Sequence, residues 1–423
     1  MTVANPAKRT GTVAVLDIGS TKVCCMIARP VPSAKAGKSN SNELEVIGIG
    51  HQRSAGVRAG AVVDLASAEK TIRRVVDTAE AQAGVAVGSL IVNAPARSLR
   101  SRTAEGVAPI STDGVTVADI DRAMRDAKSK AAARDTRMLH SLPVDYAIDG
   151  TDEIEDPTGM VGDELTISCH FVGTPSVPLR NLERVINRAH IEVDQVVATP
   201  YASALAATVA DEAEMGCVVI DMGGEATSWA IMSGGSFLHG ESVAIGGQHV
   251  TTDLARGLSI GIEQAERLKV LQANVSPVAI LSEQVTVAPL VAEGSAAVAS
   301  IPRVEVAQIV TARVEETFEL VRDRIRRSGL GRHADRRVIL TGGAAQLTGA
   351  ADLARRMLAR NVRVARPVGV RGLSTIHKTP AFATAVGLAR FPQVADRERH
   401  VGSSFALPTT GRFARLGRWF RDF

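Results

Sequence analysis

Asp17 and Asp221 are the residues of this chain best placed to handle a phosphate and a divalent cation. Each ends an apolar run and heads an Asp-x-Gly turn, in VAVLDIGSTKVCCMIA (13–28) and CVVIDMGGEATSWAIMSG (217–234). Glycines let the main chain approach closely and take positive φ, so successive N–H groups can form an anion nest. A carboxylate beside the nest can hold Mg²⁺, which keeps most of its waters and often meets protein through one or two carboxylates. Two such loops facing each other would grip a triphosphate from both sides. A third glycine turn, Thr341-Gly342-Gly343-Ala344, follows the strand VIL and precedes a helix. Alone it serves a structural turn as well as a nucleotide contact. Its weight comes from the order: Asp hairpin, Asp hairpin, Gly-Gly turn.

The elements that must position these loops are legible in the apolar periodicity. The first hairpin is followed by a polar loop (31–44), a strand ELEVIGIG (43–50) and a helix over 66–83, which Gly84 closes. SLIVNAP (89–95) opens a different unit of short strands with one helix (117–132), ending in DELTISCHFVGTP, and a helix over 179–190 follows. After the second hairpin come a helix pair (249–273), a β-leaning stretch (276–292) and a long helix from 304 to 327 stopped by Gly329. Strand, glycine turn and helix then lead to a closing helix over 378–391.

Composition narrows the class. A chain of 423 residues divides into several units of roughly 100 to 200 residues each. Its 49 basic and 45 acidic residues are interspersed, and aromatics make up 3%. A nucleic-acid binder would show a basic stripe with aromatics interleaved, so no nucleic-acid partner is expected. The four cysteines sit in apolar runs without C-x-x-C spacing, which favours buried thiols over metal or disulfide. No apolar run reaches the ~18 residues of a membrane span, and no signal peptide is expected. Walker A is absent, and GIGHQRSAG (48–56) lacks the third glycine of a dinucleotide fingerprint.

The order of the three turns resembles the actin-like ATPase superfamily, with ATPYASALAA (198–207) and TPAFATAVGLA (379–389) as its two connecting helices. Longer strings resemble one branch of it, the bacterial cell-division FtsA family: MLHSLPVDYAIDGTDEIEDPTGMVGDEL, VAIGGQHVTTDLARGLSIGIEQAERLKV, VILTGGAAQLTGAADLA and KTPAFATAVGLARF. The resemblance spans about residues 12 to 391 plus the tail. It implies an α/β, two-domain actin-like ATPase fold with ribonuclease-H-like sheets, an inserted α+β 1C subdomain and a C-terminal amphipathic helix. Subdomain 1A would take 11–87 and 174–200, closed by the helix 379–391. Subdomain 1C would take 88–173, 2A would take 201–248 and 330–378, and 2B would take 249–329. A flexible linker (392–410) would precede the terminal helix (411–423).

Residue roles follow from the same resemblance. Asp17, Gly19, Ser20, Thr21 and Lys22 match the first phosphate loop, and Asp221, Gly223, Gly224 and Thr227 the second. Gly342 and Gly343 match the adenosine loop, while Glu263, Glu266 and Lys269 fall on the helix that reaches ribose and adenine. Spacing alone would equally make those three a solvated charged face. The resemblance implies ATP and Mg²⁺ as cofactors, with Asp17 and Asp221 orienting the metal. It also implies FtsZ as partner through 2B, with Arg303 and Arg313 as acceptors for its acidic tail peptide, although a solvated face explains these arginines as well. Self-association into filaments and contacts of 1C with other division proteins complete the implied partners. One departure stands out: Gly223-Gly224-Glu225-Ala226-Thr227-Ser228 replaces a Gly-Gly-Gly-Thr-Thr-Asp pattern. With no evident general base either, the catalytic residue stays unassigned, and slow ATPase activity at most is expected.

The tail GRFARLGRWFRDF (411–423) carries a separate signal. At 100° per residue Phe413, Leu416, Trp419, Phe420 and Phe423 gather on one side, with Arg412, Arg415, Arg418 and Arg421 outside them. This is the pattern of an interfacial helix. At about 20 Å it is too short to cross a hydrocarbon core of about 30 Å. Docking on the protein's own surface is the alternative, but the polar stretch before it reads as a linker with a reach near ~25 Å. The expectation is a peripheral protein on the cytoplasmic face of the inner membrane at the septum, bound to anionic lipids and tethering the FtsZ ring. A PilM-like pilus scaffold, or a small-molecule kinase of the same superfamily, is the alternative.

Overall fold

Two sheets repeat one plan. The computed structural model describes residues 11–32, 43–58, 60–95, 97, 99–111, 113–275, 284–287, 299–330, 337–358 and 361–399. In the first sheet Glu43–Arg53, Lys22–Val31 and Val13–Ile18 run antiparallel to one another, and Ser89–Ala94 and Glu192–Ala198 then add in parallel. In the second, Ser236–Val243, Thr227–Ser233 and Cys217–Met222 are antiparallel, and Val338–Thr341 and Val362–Val364 add in parallel. The central strands are buried nearly end to end, as a sheet covered on both faces demands. All four cysteines are free and buried within these and the neighbouring strands.

Helices cover the sheets where the apolar periodicity placed them. Leu65–Ala83 packs Ile72, Val75, Val76 and Ala79 inward; Asp64 caps its start and Gly84, at φ 68°, ends it. The long helix Arg303–Arg327 buries Val306, Val310, Val314, Phe318 and Val321. Between the sheets run two short helices of small residues, Thr199–Ala207 and Ala383–Arg390. A Cβ on Gly387 would stand 1.6 Å from the Ala202 carbonyl oxygen, so only glycine permits this crossing.

The inserted unit is a sheet of Arg100–Pro109, Glu164–Pro175, Thr136–Ile148 and Thr151–Ile154, in that order, with the helix Val117–Ala131 on one face. That helix opens with a Thr116/Asp119 capping box. Along its side Arg122, Asp126 and Lys130 reach the outer edge of Arg100–Pro109. Arg122 donates to Pro109 O (2.9 Å), Asp126 accepts from Val107 N (3.0 Å), and Lys130 donates to Glu105 O (3.1 Å).

Three expectations of segment membership change. Ser89–Ala94, expected to open the insert, is an inner strand of the first sheet, because its run of buried apolar side chains pairs with Val13–Ile18. Val370–Arg371, expected in the second domain, pairs with Leu44 and Glu45 of the first sheet. Pro392–Arg399, expected as linker, continues as a helix with Phe391 and Ala395 buried at its start. Residues 400–423, and with them Arg412, Phe413, Arg415, Leu416, Arg418, Trp419, Phe420 and Phe423, lie outside the described residues. Among the described residues no helix is long and apolar enough to cross a membrane.

Candidate functional site

The two Asp hairpins superpose in their local bonding. In the first, Gly19 N donates to Lys22 O (2.9 Å) and Asp17 pairs with Cys24; in the second, Gly223 N donates to Ala226 O (3.0 Å) and Asp221 pairs with Ser228. A Cβ would meet the same carbonyl at 2.9 Å on Gly19 and at 2.8 Å on Gly223, which is why both turns use glycine. The loops face each other: Thr21 Cγ2 would lie 2.5 Å from a Cβ on Gly224.

Between them lies a cavity of about 510 Å³. Asp17, Gly19, Ser20, Thr21, Lys22, Asp221, Gly223, Gly224, Glu266, Lys269, Gly342 and Gly343 all line it. Gly342 adopts φ 86° with its N–H on Pro380 O (3.1 Å), which folds the third turn against the turn Pro380–Phe382 that leads into the second connecting helix. Lys269 Nζ reaches Glu266 Oε2 (2.6 Å), Thr251 Oγ1 (2.9 Å) and Gly247 O (3.1 Å), so the lysine is built into the wall while its partner Glu266 stays partly exposed.

Two expected residues stand elsewhere. Thr227 is buried and donates to Ile245 O (2.7 Å). Cross-strand partners share a face, so Ser228, opposite Asp221, looks into the cavity and Thr227 looks away. Glu263 is exposed in the first turn of its helix, whereas the lining positions Glu266, Lys269, Val270 and Ala273 run toward the other end. Glu225, the departure from the family pattern, does line the cavity.

Charge is concentrated at the floor. Burial lifts the Asp17 carboxyl to about 6, opposed by Lys22 and reinforced by the charge of Asp221. Burial also raises Asp221, while hydrogen bonds from Ser203 and Thr384 and the Lys22 charge pull it back. Lys22 donates to Ala381 O (2.5 Å) and lies 3.5 Å from the centre of the Phe382 ring, holding the loop to the turn Pro380–Phe382. Two buried carboxylates with a common cavity form a donor set suited to a hydrated divalent cation.

Sequence reading missed Asn93. Its Oδ1 accepts from Ile18 N (2.7 Å) and its Nδ2 donates to Ile18 O (3.3 Å), copying a strand partner for the residue after Asp17. Nδ2 also meets Thr199 Oγ1 (3.4 Å), which bonds Ala94 O (2.7 Å). The only cue available was a polar residue inside an apolar strand. Gly247 N and Gln248 N, at the start of the helix Gly247–Gly257, take the carbonyls of Gly223 (2.9 Å) and Gly224 (2.6 Å). Those oxygens are thereby turned away from any anion in the cavity.

The insert is tied across to the second sheet. His170 Nδ1 donates to Phe237 O (3.0 Å), and its Nε2 lies 2.8 Å from Ser101 Oγ. Ser101 Oγ accepts from Gly240 N (3.0 Å), and its single proton is shared between Gly240 O (2.6 Å) and the acceptor Nε2 of the neutral imidazole. Burial drives the His170 imidazole down to about 3, with His239 and His140 adding to the effect. His140 meets Ala198 N (3.0 Å) just before the first connecting helix. Of the proposed peptide acceptors, Arg313 is already held by Asp253 (2.5 and 3.1 Å) and by Glu316, and Arg303 donates to Gln272 O (3.1 Å). An incoming acidic peptide would therefore have to share Arg313 with Asp253 and Glu316.

Comparison with known proteins agrees with this architecture. Residues 218–387 match the family model "Cell division protein FtsA", and residues 96–173 match "SHS2 domain inserted in FTSA". The cell-division protein FtsA of Rhizobium meliloti is 47% identical over 99% of this chain and 96% of its own length. Among solved structures, the PilM–PilN type IV pilus biogenesis complex has a TM-score of 0.62 at 14% identity, covering 89% of this chain and 97% of that one. MreB5 of Spiroplasma citri bound to ADP has a TM-score of 0.53 at 14% identity, covering 92% and 98%. At these identities the two structures speak for the fold alone, and the sequence relationship decides against the pilus scaffold. With an actin-like fold, an inserted SHS2 unit and near-full-length kinship to a curated relative, the chain belongs to the FtsA family of bacterial cell-division proteins.

Proposed function

We propose that this chain binds Mg–ATP between its two sheets, polymerises as an actin-like filament, and tethers FtsZ to the cytoplasmic membrane. The observation that carries the nucleotide part is the convergence of Asp17, Asp221 and the Gly342–Gly343 turn on one cavity. The N–H groups of the two hairpin turns and Lys22 would take the phosphates, and Glu266 and Lys269 the ribose side. Asp17 and Asp221 would hold Mg²⁺ through its waters, which would neutralise the charge they share with the phosphates. Glu225 on the cavity wall opposes a terminal phosphate, so the site is read as holding nucleotide rather than turning it over fast.

The tether rests on the sequence of 411–423. Each arginine near an anionic leaflet is worth about 1 kcal/mol, and a helix this short orders only on binding. One tail holds weakly, and a row of tails on a filament holds by avidity. FtsZ would dock on the unit around the helix Arg303–Arg327, and other division proteins on the insert. The protein would work at the septum, on the cytoplasmic side of the inner membrane.

Co-sedimentation of the full chain with anionic vesicles, ATP and FtsZ tests this reading beside a chain truncated before Gly411. Full-length protein should pellet with vesicles and bring FtsZ down, and the truncated chain should do neither. Soluble full-length protein, or FtsZ left in the supernatant, would overturn the tether. Absence of ATP binding by equilibrium dialysis would overturn the nucleotide site.

A further inference from the structure

Buried hydroxyls on helices of this chain commonly bond back to the carbonyl four residues earlier, as Thr71, Thr208 and Thr317 do. Ser203 and Thr384 have a different partner. Ser203, fully buried on the first connecting helix, donates to Asp221 Oδ2 at 2.5 Å, and Thr384, on the second, donates to the same oxygen at 3.1 Å. The two hydroxyls are 3.0 Å apart. On the far side, a Cβ on Gly342 would stand 2.3 Å from Asp221 Oδ1, so the carboxylate is bounded by main chain there. Asp17 has no such arrangement: among the described residues no hydrogen bond reaches its carboxylate.

We propose that Ser203 and Thr384 are positioning residues that aim Asp221 into the cavity and tie it to both connecting helices. The inference rests on the nucleotide reading above and adds to it a route from ligand to hinge. Apart from Tyr201 and Arg390 the helices are otherwise built of small and apolar residues, and they cross at Gly387 over Ala202 with no side chain between them. The Ser203–Asp221–Thr384 triad is therefore a polar link between the two crossing helices and the site. A cation drawn to Asp221 meets a carboxylate already fixed in place by the two hydroxyls, and any shift of that carboxylate is passed to both helices at once.

The test measures ATP affinity with Mg²⁺ and with EDTA, by dialysis on the full chain, for the parent and for a Ser203→Ala, Thr384→Val double variant. Losing hydrogen bonds to a charged group should shrink the Mg²⁺-dependent gain by about tenfold to a hundredfold. Affinity in EDTA should stay within about twofold. Thr384→Ser, which keeps the hydroxyl, should retain the parent ratio, and Ser203→Ala alone serves if the double variant fails to fold. Equal losses in Mg²⁺ and EDTA would show that the hydroxyls only support the fold, and an unchanged ratio would show that they do not aim Asp221. Either result overturns the proposal. Failure of the parent to bind ATP at all would instead remove the nucleotide reading beneath it.

Discussion

Replacing His170 with Phe should abolish a pH dependence of stability that the wild-type fold carries between pH 7.5 and 5. The imidazole is held down to about 3 by burial, against an ordinary value near 6.5. Above pH 6.5 both folded and unfolded chains carry it neutral, and the group gives no pH dependence. Below that, the unfolded chain takes up a proton that the folded chain refuses, so stability falls as pH falls. At pH 5 the gap is about 1.5 pH units, or roughly 2 kcal/mol at 1.36 kcal/mol per unit. The Phe variant loses the bonds to Phe237 O and Ser101, costing roughly 1–3 kcal/mol at pH 7.5. Its stability should then fall less on acidification, and the two proteins should converge near pH 5. Urea unfolding at pH 7.5, 6 and 5 provides the measurement. Parallel curves, with a constant gap between wild type and variant, would refute the reasoning, because His170 would then titrate alike folded and unfolded.

Two other substitutions have definite expectations. Gly387→Val forces side-chain atoms into the Ala202 main chain, which cannot yield, and should cost about 3 kcal/mol or more. Gly84→Ala, where a Cβ meets nothing within 4 Å but φ is 68°, should cost only ~1 kcal/mol; thermal melts rank the two. Glu212→Gln removes the one carboxylate shared by Arg337 (3.1 Å) and Arg363 (2.8 Å). Both arginines are over a third exposed, so screening limits the loss to about 1–2 kcal/mol. The Glu212 carboxyl is depressed by those partners, so its contribution is present at neutral pH and disappears as pH drops below its ordinary range. The deficit of the variant should therefore begin to narrow near pH 4 and close only below it, as read by urea unfolding at pH 7, 4 and 3.

What could be read from the sequence was what is local. Asp17, Asp221 and their glycines sit in turns whose geometry is decided within seven residues, and the turns formed as expected. The long helix over 304–327 declared itself by periodicity. Thr227 and Ser228 show the limit: a strand side chain's face is set by its register with Asp221, and a shift of one residue reverses it. Asn93 was invisible because its role depends on Ile18, far along the chain. Ser89–Ala94 was misplaced because a buried strand carries no mark of which sheet it will join. The pairing of Arg313 with Asp253, which comes from another helix, left no mark in the local sequence.

The row Arg122, Asp126, Lys130 along the insert has a consequence for how copies of this protein can meet. An open sheet edge offers unpaired main-chain groups to any passing strand, and natural proteins block such edges with charge. Here Glu105 O, Val107 N and Pro109 O are already satisfied by side chains of the same molecule. A neighbour cannot extend this sheet at those positions without first displacing three charged groups. Crowded side by side, these molecules are steered from fusing through their backbones along this edge. Contact there falls to side-chain surfaces, which separate more readily than a shared strand ladder.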